Sequence, residues 1–132
     1  MKRENNFDYQ SYYNDFEKKN SSGIEKQVLN LIGRKYVDKG KIKVLDLGFG
    51  KGKLIRKLAR IGFDVKGVDV SEKNVENLIN YFSKCDLNPE ILRGDILNLP
   101  FANREFDFII ACEVLEHITD IGKAAKEINR VL

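Results

Sequence analysis

Val44-Leu45-Asp46-Leu47-Gly48-Phe49-Gly50-Lys51-Gly52 limits what this chain can fold into more than any other stretch. Ile42, Val44, Leu45 and Leu47 make a short apolar run, the pattern of a strand buried on both faces of a parallel sheet. Three glycines at every second position follow, and helical spacing begins at once with Leu54, Ile55, Leu58 and Ile61. Strand, glycine turn and helix in that order form the entrance of a nucleotide-binding βαβ unit. A side chain at those turn positions would hold the backbone away from a ligand, and glycine also admits positive φ. The frame is G-x-G-x-G. The dinucleotide frame G-x-G-x-x-G would require glycine at position 53, which is Lys53, and it gives no reason for Gly94-Asp95. An acid, Asp46, stands two residues ahead of the first glycine.

Strand and helix patterns then alternate. The spacing predicts a strand near 42–47, a helix near 51–61, a strand near 64–69 and a helix near 72–84 carrying Val75, Leu78, Ile79 and Phe82. Strands near 90–93 and 106–112 follow, and a helix near 120–132 places Ile121, Ala124, Ala125, Ile128, Val131 and Leu132 on one face. This order implies an α/β fold, a parallel sheet with helices on its faces. Ahead of it, Ser22-Gly23-Ile24-Glu25 has capping-box spacing before an amphipathic helix through Ile24, Val28, Leu31, Ile32 and Tyr36. Tyr9, Tyr12, Tyr13 and Phe16 fall on one helical face. The chain therefore divides into a helical segment, 1–39, and a nucleotide-binding domain, 40–132.

At 132 residues this is one domain or part of one. Hydrophobic content of 42% and charged content of 33% are those of a soluble globular protein. The net charge of +3 is spread over basic residues interleaved with acids, so neither nucleic acid nor membrane is expected as a partner. The start, Met1-Lys2-Arg3-Glu4-Asn5-Asn6, has no apolar signal segment, and no apolar stretch is long enough to span a bilayer. Cys85 and Cys112 fall in different elements without metal-ligand spacing, so no metal is expected and a reduced, cytoplasmic setting fits.

The nine-residue segment resembles motif I of the class I S-adenosylmethionine (SAM)-dependent methyltransferases, usually close to V-L-D-L-G-C-G-T-G. Phe49 stands in place of the common Cys or Ala and Lys51 in place of Thr or Ser, with the glycine frame intact. Two further segments are similar to that family in register. Arg93-Gly94-Asp95-Ile96-Leu97-Asn98-Leu99-Pro100-Phe101 resembles its G-D-x-x-x-L-P-F segment, and residues 106–120 resemble the F-D-x-V-x-x-x-E-V-L-E-H-V-x-D block of the small-molecule branch that includes ubiquinone- and menaquinone-type enzymes. The resemblance covers about 40–132. It implies a Rossmann-like methyltransferase fold, S-adenosyl-L-methionine as cofactor and a small-molecule methyl acceptor. It also implies a sheet of seven strands, of which strands 5–7 are missing here. The fourth strand would then be an uncovered apolar edge, open to self-association.

The implied cofactor contacts are Asp46, Gly48, Phe49, Gly50, Gly52, Asp69, Val70, Asp95, Ile96 and Cys112. Asp46 is placed to orient the ammonium of the amino-acid tail. Asp69 follows Gly48 by 21 residues, the offset of a ribose-binding acid; its second reading is a helix N-terminal acid beside Ser71. Asp95 would accept from the adenine amino group with Ile96 packing on the ring, or else be a turn aspartate. Cys112 is a wall near the sulfonium or a small buried thiol. On a helix, Glu113, Glu116 and His117 would share a face. Three uses remain open for them: helix-end electrostatics with structural contacts by His117, a general base at His117, or a divalent-cation site. Tyr12 and Tyr13 either close over the cofactor or pack. Besides a methyltransferase, the reading leaves open a SAM-binding module that works through a partner.

Overall fold

The structure is a computed structural model and describes residues 26–28, 30–32 and 42–132. Two compact units divide the chain, Met1–Val37 and Asp38–Leu132. In the first, the described residues are helical and lie inside the amphipathic helix expected there. The aromatic stripe from Tyr9 to Phe16, with Tyr12 and Tyr13, lies outside the described residues.

The second unit is built on a four-stranded parallel sheet in the order β3-β2-β1-β4. β1 is Lys43–Leu47, β2 Asp64–Asp69, β3 Glu90–Arg93 and β4 Phe108–Ile110. Helix α1, Lys53–Arg60, joins β1 to β2; α2, Glu72–Phe82, joins β2 to β3; α3, Ile121–Val131, follows β4. From β1 the chain steps outward to β2 and then β3, and afterwards crosses to the opposite side of β1. That reversal, between β1 and β4, is the place where an open α/β sheet leaves a crevice at its carboxyl ends.

Each helix is bounded by local chemistry. α1 cannot begin at 51 because Gly50 and Gly52 are left-handed, so its first helical residue is Lys53. It ends at Gly62, whose φ of 93° lets its N–H reach the Ala59 carbonyl while the Phe63 N–H reaches Leu58. Ser71 caps α2 by accepting from the Asn74 N–H, and Asp120 caps α3 by accepting from the Lys123 N–H.

The pleat sorts the core into two faces. Leu45, Leu47 and Val68 join Ala124 and Val131 of α3, with Ile96, Leu99, Phe101 and Phe106 from the loops after β3. On the opposite face Gly67 lies under Ile55 of α1, Phe49 and Ile91: a Cβ there would stand 2.4 Å from Ile55 Cδ1 and 2.8 Å from Phe49 Cδ1. β4 is shorter than the expected 106–112. The Phe106 N–H is held by the Val131 carbonyl, and the Asp107 N–H by Lys43, before sheet pairing starts. Among the described residues no helix is long and apolar enough to cross a membrane.

Candidate functional site

The carboxyl ends of all four strands open into one cavity of about 350 Å³, within the range of small-molecule sites. Leu47 and Gly48 line it at the end of β1, Val68, Asp69 and Val70 at the end of β2, and Gly94, Asp95 and Ile96 in the turn that follows β3. Beyond β4 the lining continues with Glu113, Val114, His117 and Ile118.

Asp69 is buried and its carboxylate is already engaged. Oδ2 accepts from the Gly50 N–H at 2.8 Å, and Oδ1 accepts from the Ser71 N–H at 2.8 Å and from Asn74 Nδ2 at 3.4 Å. The carboxylate fixes the glycine turn and the start of α2, as the helix N-terminal reading requires, and the residue also lines the cavity. The next residue, Val70, is 71% exposed, an unusual setting for a valine that is explained by its place in the lining. Asp95 and Ile96 sit on a tight turn in which the Asn98 N–H returns to the Asp95 carbonyl and the Leu97 N–H donates to Asp95 Oδ1 at 2.9 Å.

Gly48 has φ 66° and leaves no room for a Cβ, which would stand 2.2 Å from Val114 Cγ2. Val114 therefore closes directly over the turn. Gly52 serves a different purpose: a Cβ there would meet Leu78 Cδ1 at 2.6 Å, so this glycine lets α2 approach the start of α1.

The other residues implied as contacts stand outside the lining. Phe49 is buried against Gly67. Gly50 reaches the site through its hydrogen bond to Asp69. Asp46 is buried in β1, and burial, followed by the Asp69 carboxylate, pushes its carboxyl up to about 7. Cys112 lies two residues past β4 rather than at its end. Its thiol is raised first by burial and then by Asp46 and Glu113, which makes it a poor nucleophile.

One expectation is overturned. Glu113, Glu116 and His117 do not share a helix face, because no α-helix runs there. Glu113 is left-handed, with φ 54°, and a 3₁₀ turn covers only Leu115–His117 before Ile118 becomes extended. Among the described residues no three His, Cys, Asp or Glu side chains are grouped as a metal site would require. Glu113 and His117 still line the cavity.

Sequence reasoning passed over Val114 and Ile118. Both belong to the apolar positions of the 106–120 block, but their placement over the cavity depends on the left-handed turn at Glu113.

Comparison with known proteins agrees with this geometry. Residues 45–132 match the family model described as a methyltransferase domain. A ubiquinone biosynthesis O-methyltransferase from Pelagibacter ubique is 34% identical over 98 residues, covering 69% of this chain and 38% of that protein. A candidate sarcosine dimethylglycine methyltransferase from Galdieria sulphuraria superposes with a TM-score of 0.77 at 25% identity, over 83% of this chain and 41% of that one. A candidate S-adenosyl-L-methionine-dependent methyltransferase from Methanococcus maripaludis gives 0.71 at 27% identity, over 83% and 49%. The chain spans between 32% and 39% of the length of such curated relatives. With a family model matched over two thirds of its residues and the strand order and crevice described above, the chain belongs to the class I SAM-dependent methyltransferase family.

Proposed function

We propose that the cavity binds S-adenosylmethionine and that the protein transfers its methyl group to a small-molecule acceptor. One observation carries this reading. Strand β2 ends in Asp69-Val70, and the turn two residues past the end of the neighbouring strand β3 carries Asp95-Ile96; all four residues line the same cavity. Two acceptors and two apolar surfaces suit a sugar and a purine lying across adjacent strands.

The residues present fit that ligand. A carboxylate offers about four acceptor positions. Asp69 uses three, which leaves room for one ribose hydroxyl, and for a second where Asn74 turns away. Asp95 has one position taken by the Leu97 N–H and can accept from the adenine amino group. Asp46, neutral below about pH 7, gains from ionising when an ammonium group lies beside it. Val114 and Gly48 leave no water-sized gap between them, which helps to exclude solvent from the reacting end.

Once bound, S-adenosylmethionine supplies a methyl group already activated by its sulfonium. The protein then has to hold the acceptor in line and keep water out. His117 lines the cavity and serves as base where the acceptor is a hydroxyl, the acceptor type that the names of the curated relatives favour. The free thiols Cys85 and Cys112 suit a reducing cytoplasm.

A second reading, a SAM-binding module that works with a partner chain, draws on the short span relative to its relatives. Calorimetric titration separates the possibilities. We expect SAM and S-adenosylhomocysteine to bind with dissociation constants in the micromolar range and NAD not to bind. Binding of NAD alone would reject the proposal. SAM binding without turnover on any hydroxylated acceptor tried would favour the module.

A further inference from the structure

The loop that leaves the Asp95 turn is gripped by two side chains of α3 that stand outside the cavity lining. Glu127 Oε2 accepts from the Leu99 N–H at 2.7 Å. Arg130 donates through Nε to Glu127 Oε1 at 2.8 Å and through Nη2 to Oε2 at 2.9 Å. It also donates through Nη2 to the Leu99 carbonyl at 2.9 Å, and through Nη1 to the Phe101 carbonyl at 2.8 Å and Asn103 Oδ1 at 3.0 Å. A guanidinium has five N–H donors, and these five bonds use them all. Both polar groups of the Leu99 backbone are thereby fixed to one helix. The Arg130 pairing, then the Leu99 N–H, hold the Glu127 carboxyl down at about 2, so the grip stays charged across the physiological range.

We propose that Glu127 and Arg130 are positioning residues for the nucleoside: by clamping Leu99 and Phe101 they set where the Asp95 carboxylate and the Ile96 side chain stand in the cavity. This rests on the donor-binding reading given above. The turn at 94–98 has two anchors. At one end the Gly94 N–H donates to the Asp69 carbonyl, so that end moves with β2. At the other end Leu99 follows directly after the turn, and its polar anchor is the Glu127–Arg130 pair. Inside the turn the Asp95–Asn98 bridge and the Leu97-to-Asp95 bond make it a stiff unit. Without the pair, the direction of the Leu99 peptide is no longer fixed, and the stiff turn can rock about Gly94 and shift Asp95 while its apolar contacts persist. Apolar packing of Ile96, Leu99 and Phe101 on Ala124 and Val131 survives loss of the pair, which keeps the variants foldable.

The test compares S-adenosylhomocysteine with its inosine analogue, in which a carbonyl replaces the adenine amino group. Only the first carries an amino donor at position 6; the inosine base turns a carbonyl toward Asp95 there and has its N–H on the neighbouring ring atom N1. One hydrogen bond to a charged acceptor gives the 132-residue wild type about a 10- to 100-fold preference for the adenine ligand. In Arg130→Gln and Glu127→Gln we expect that preference to fall below about 3-fold, through weaker binding of the adenine ligand, with the inosine analogue changed less than about 2-fold. A purely structural pair would lower the melting temperature, or weaken both ligands alike, and leave the ratio intact; that result overturns the proposal. Arg130→Lys keeps a cation without the planar fork and should show an intermediate ratio, so it serves if Arg130→Gln fails to fold. If all three variants unfold, the pair is structural and the proposal falls. A wild type that binds both ligands equally removes the Asp95 role and this proposal, while leaving donor binding intact. A wild type that binds neither removes the donor reading itself.

Discussion

Asp46 lies on the central strand with 4% of its surface exposed, in a register between Gly67 of β2 and Ile110 of β4. A carboxylate in such a setting is disfavoured, and its acid form is retained up to about pH 7, against 3.8 for the unconstrained group. The sign of the consequence follows from linkage. Below about pH 4 the group is protonated in folded and unfolded chains alike. Between about 4 and 7 the unfolded chain releases the proton and the folded one keeps it, so stability falls as pH rises, by up to about 1.4 kcal/mol per pH unit. Above about 7 both forms are ionised and the loss is complete. Asp46→Asn has no such proton to hold. Urea denaturation of both proteins from pH 4 to pH 8 should show the wild type losing ground steadily against the variant up to about pH 7, then a constant difference. Parallel curves would mean that Asp46 is not buried as described.

At the scale of elements, the glycine turn separates two uses of the same residue type. Gly50 has φ 54°, and a Cβ there would meet nothing within 4 Å. Alanine at 50 therefore carries only the left-handed backbone cost, about 1 kcal/mol. Gly52 has φ 69° and lies against Leu78, so alanine there adds overpacking between α1 and α2, for a total of about 2–4 kcal/mol. Denaturation midpoints of the two variants should rank in that order, and equal losses would contradict the packing described. Much of this was legible beforehand. β2 and β3 have the expected bounds, and the ends of α1, α2 and α3 fall within about two residues of them, because apolar period and punctuation are local signals. The turn at Glu113 was not legible, since the spacing of Glu113, Glu116 and His117 reads identically on a helix and on a bend. Its φ of 54° is one that no residue type in the segment announces, since glutamate is not among the residues enriched there. Phe49 escaped for a related reason: its burial is decided by Gly67, on another strand. Glu127 and Arg130 look like an ordinary i,i+3 helix pair until the 99–103 segment is seen lying against them.

For the molecule as a whole, the two edges of the sheet are unlike. β3 ends one side with Glu90 and Arg93, where Glu90 is paired to Lys66 and Arg93 to Glu72, and charges of this kind discourage edge-to-edge pairing. β4 ends the other side among the described residues, and Phe108, Ile109 and Ile110 carry no charge. Its length of three residues limits how many hydrogen bonds a second chain could add, which argues for weak association rather than a tight dimer. Static light scattering of the 132-residue chain should therefore show an apparent mass that climbs with concentration. Phe108 is half-buried and pairs with Val44, while its neighbour Ile109 packs on the α3 face, so Phe108→Lys charges the edge without opening that core. The substitution should hold the apparent mass at that of a monomer with an unchanged circular dichroism spectrum. A wild type that stays monomeric at the highest attainable concentration would show that the short strand blunts this edge by itself. Association that persists in Phe108→Lys would place the contact elsewhere, for which exposed Ile121 and Leu132 on α3 and its C-terminal end are the next apolar surface to substitute.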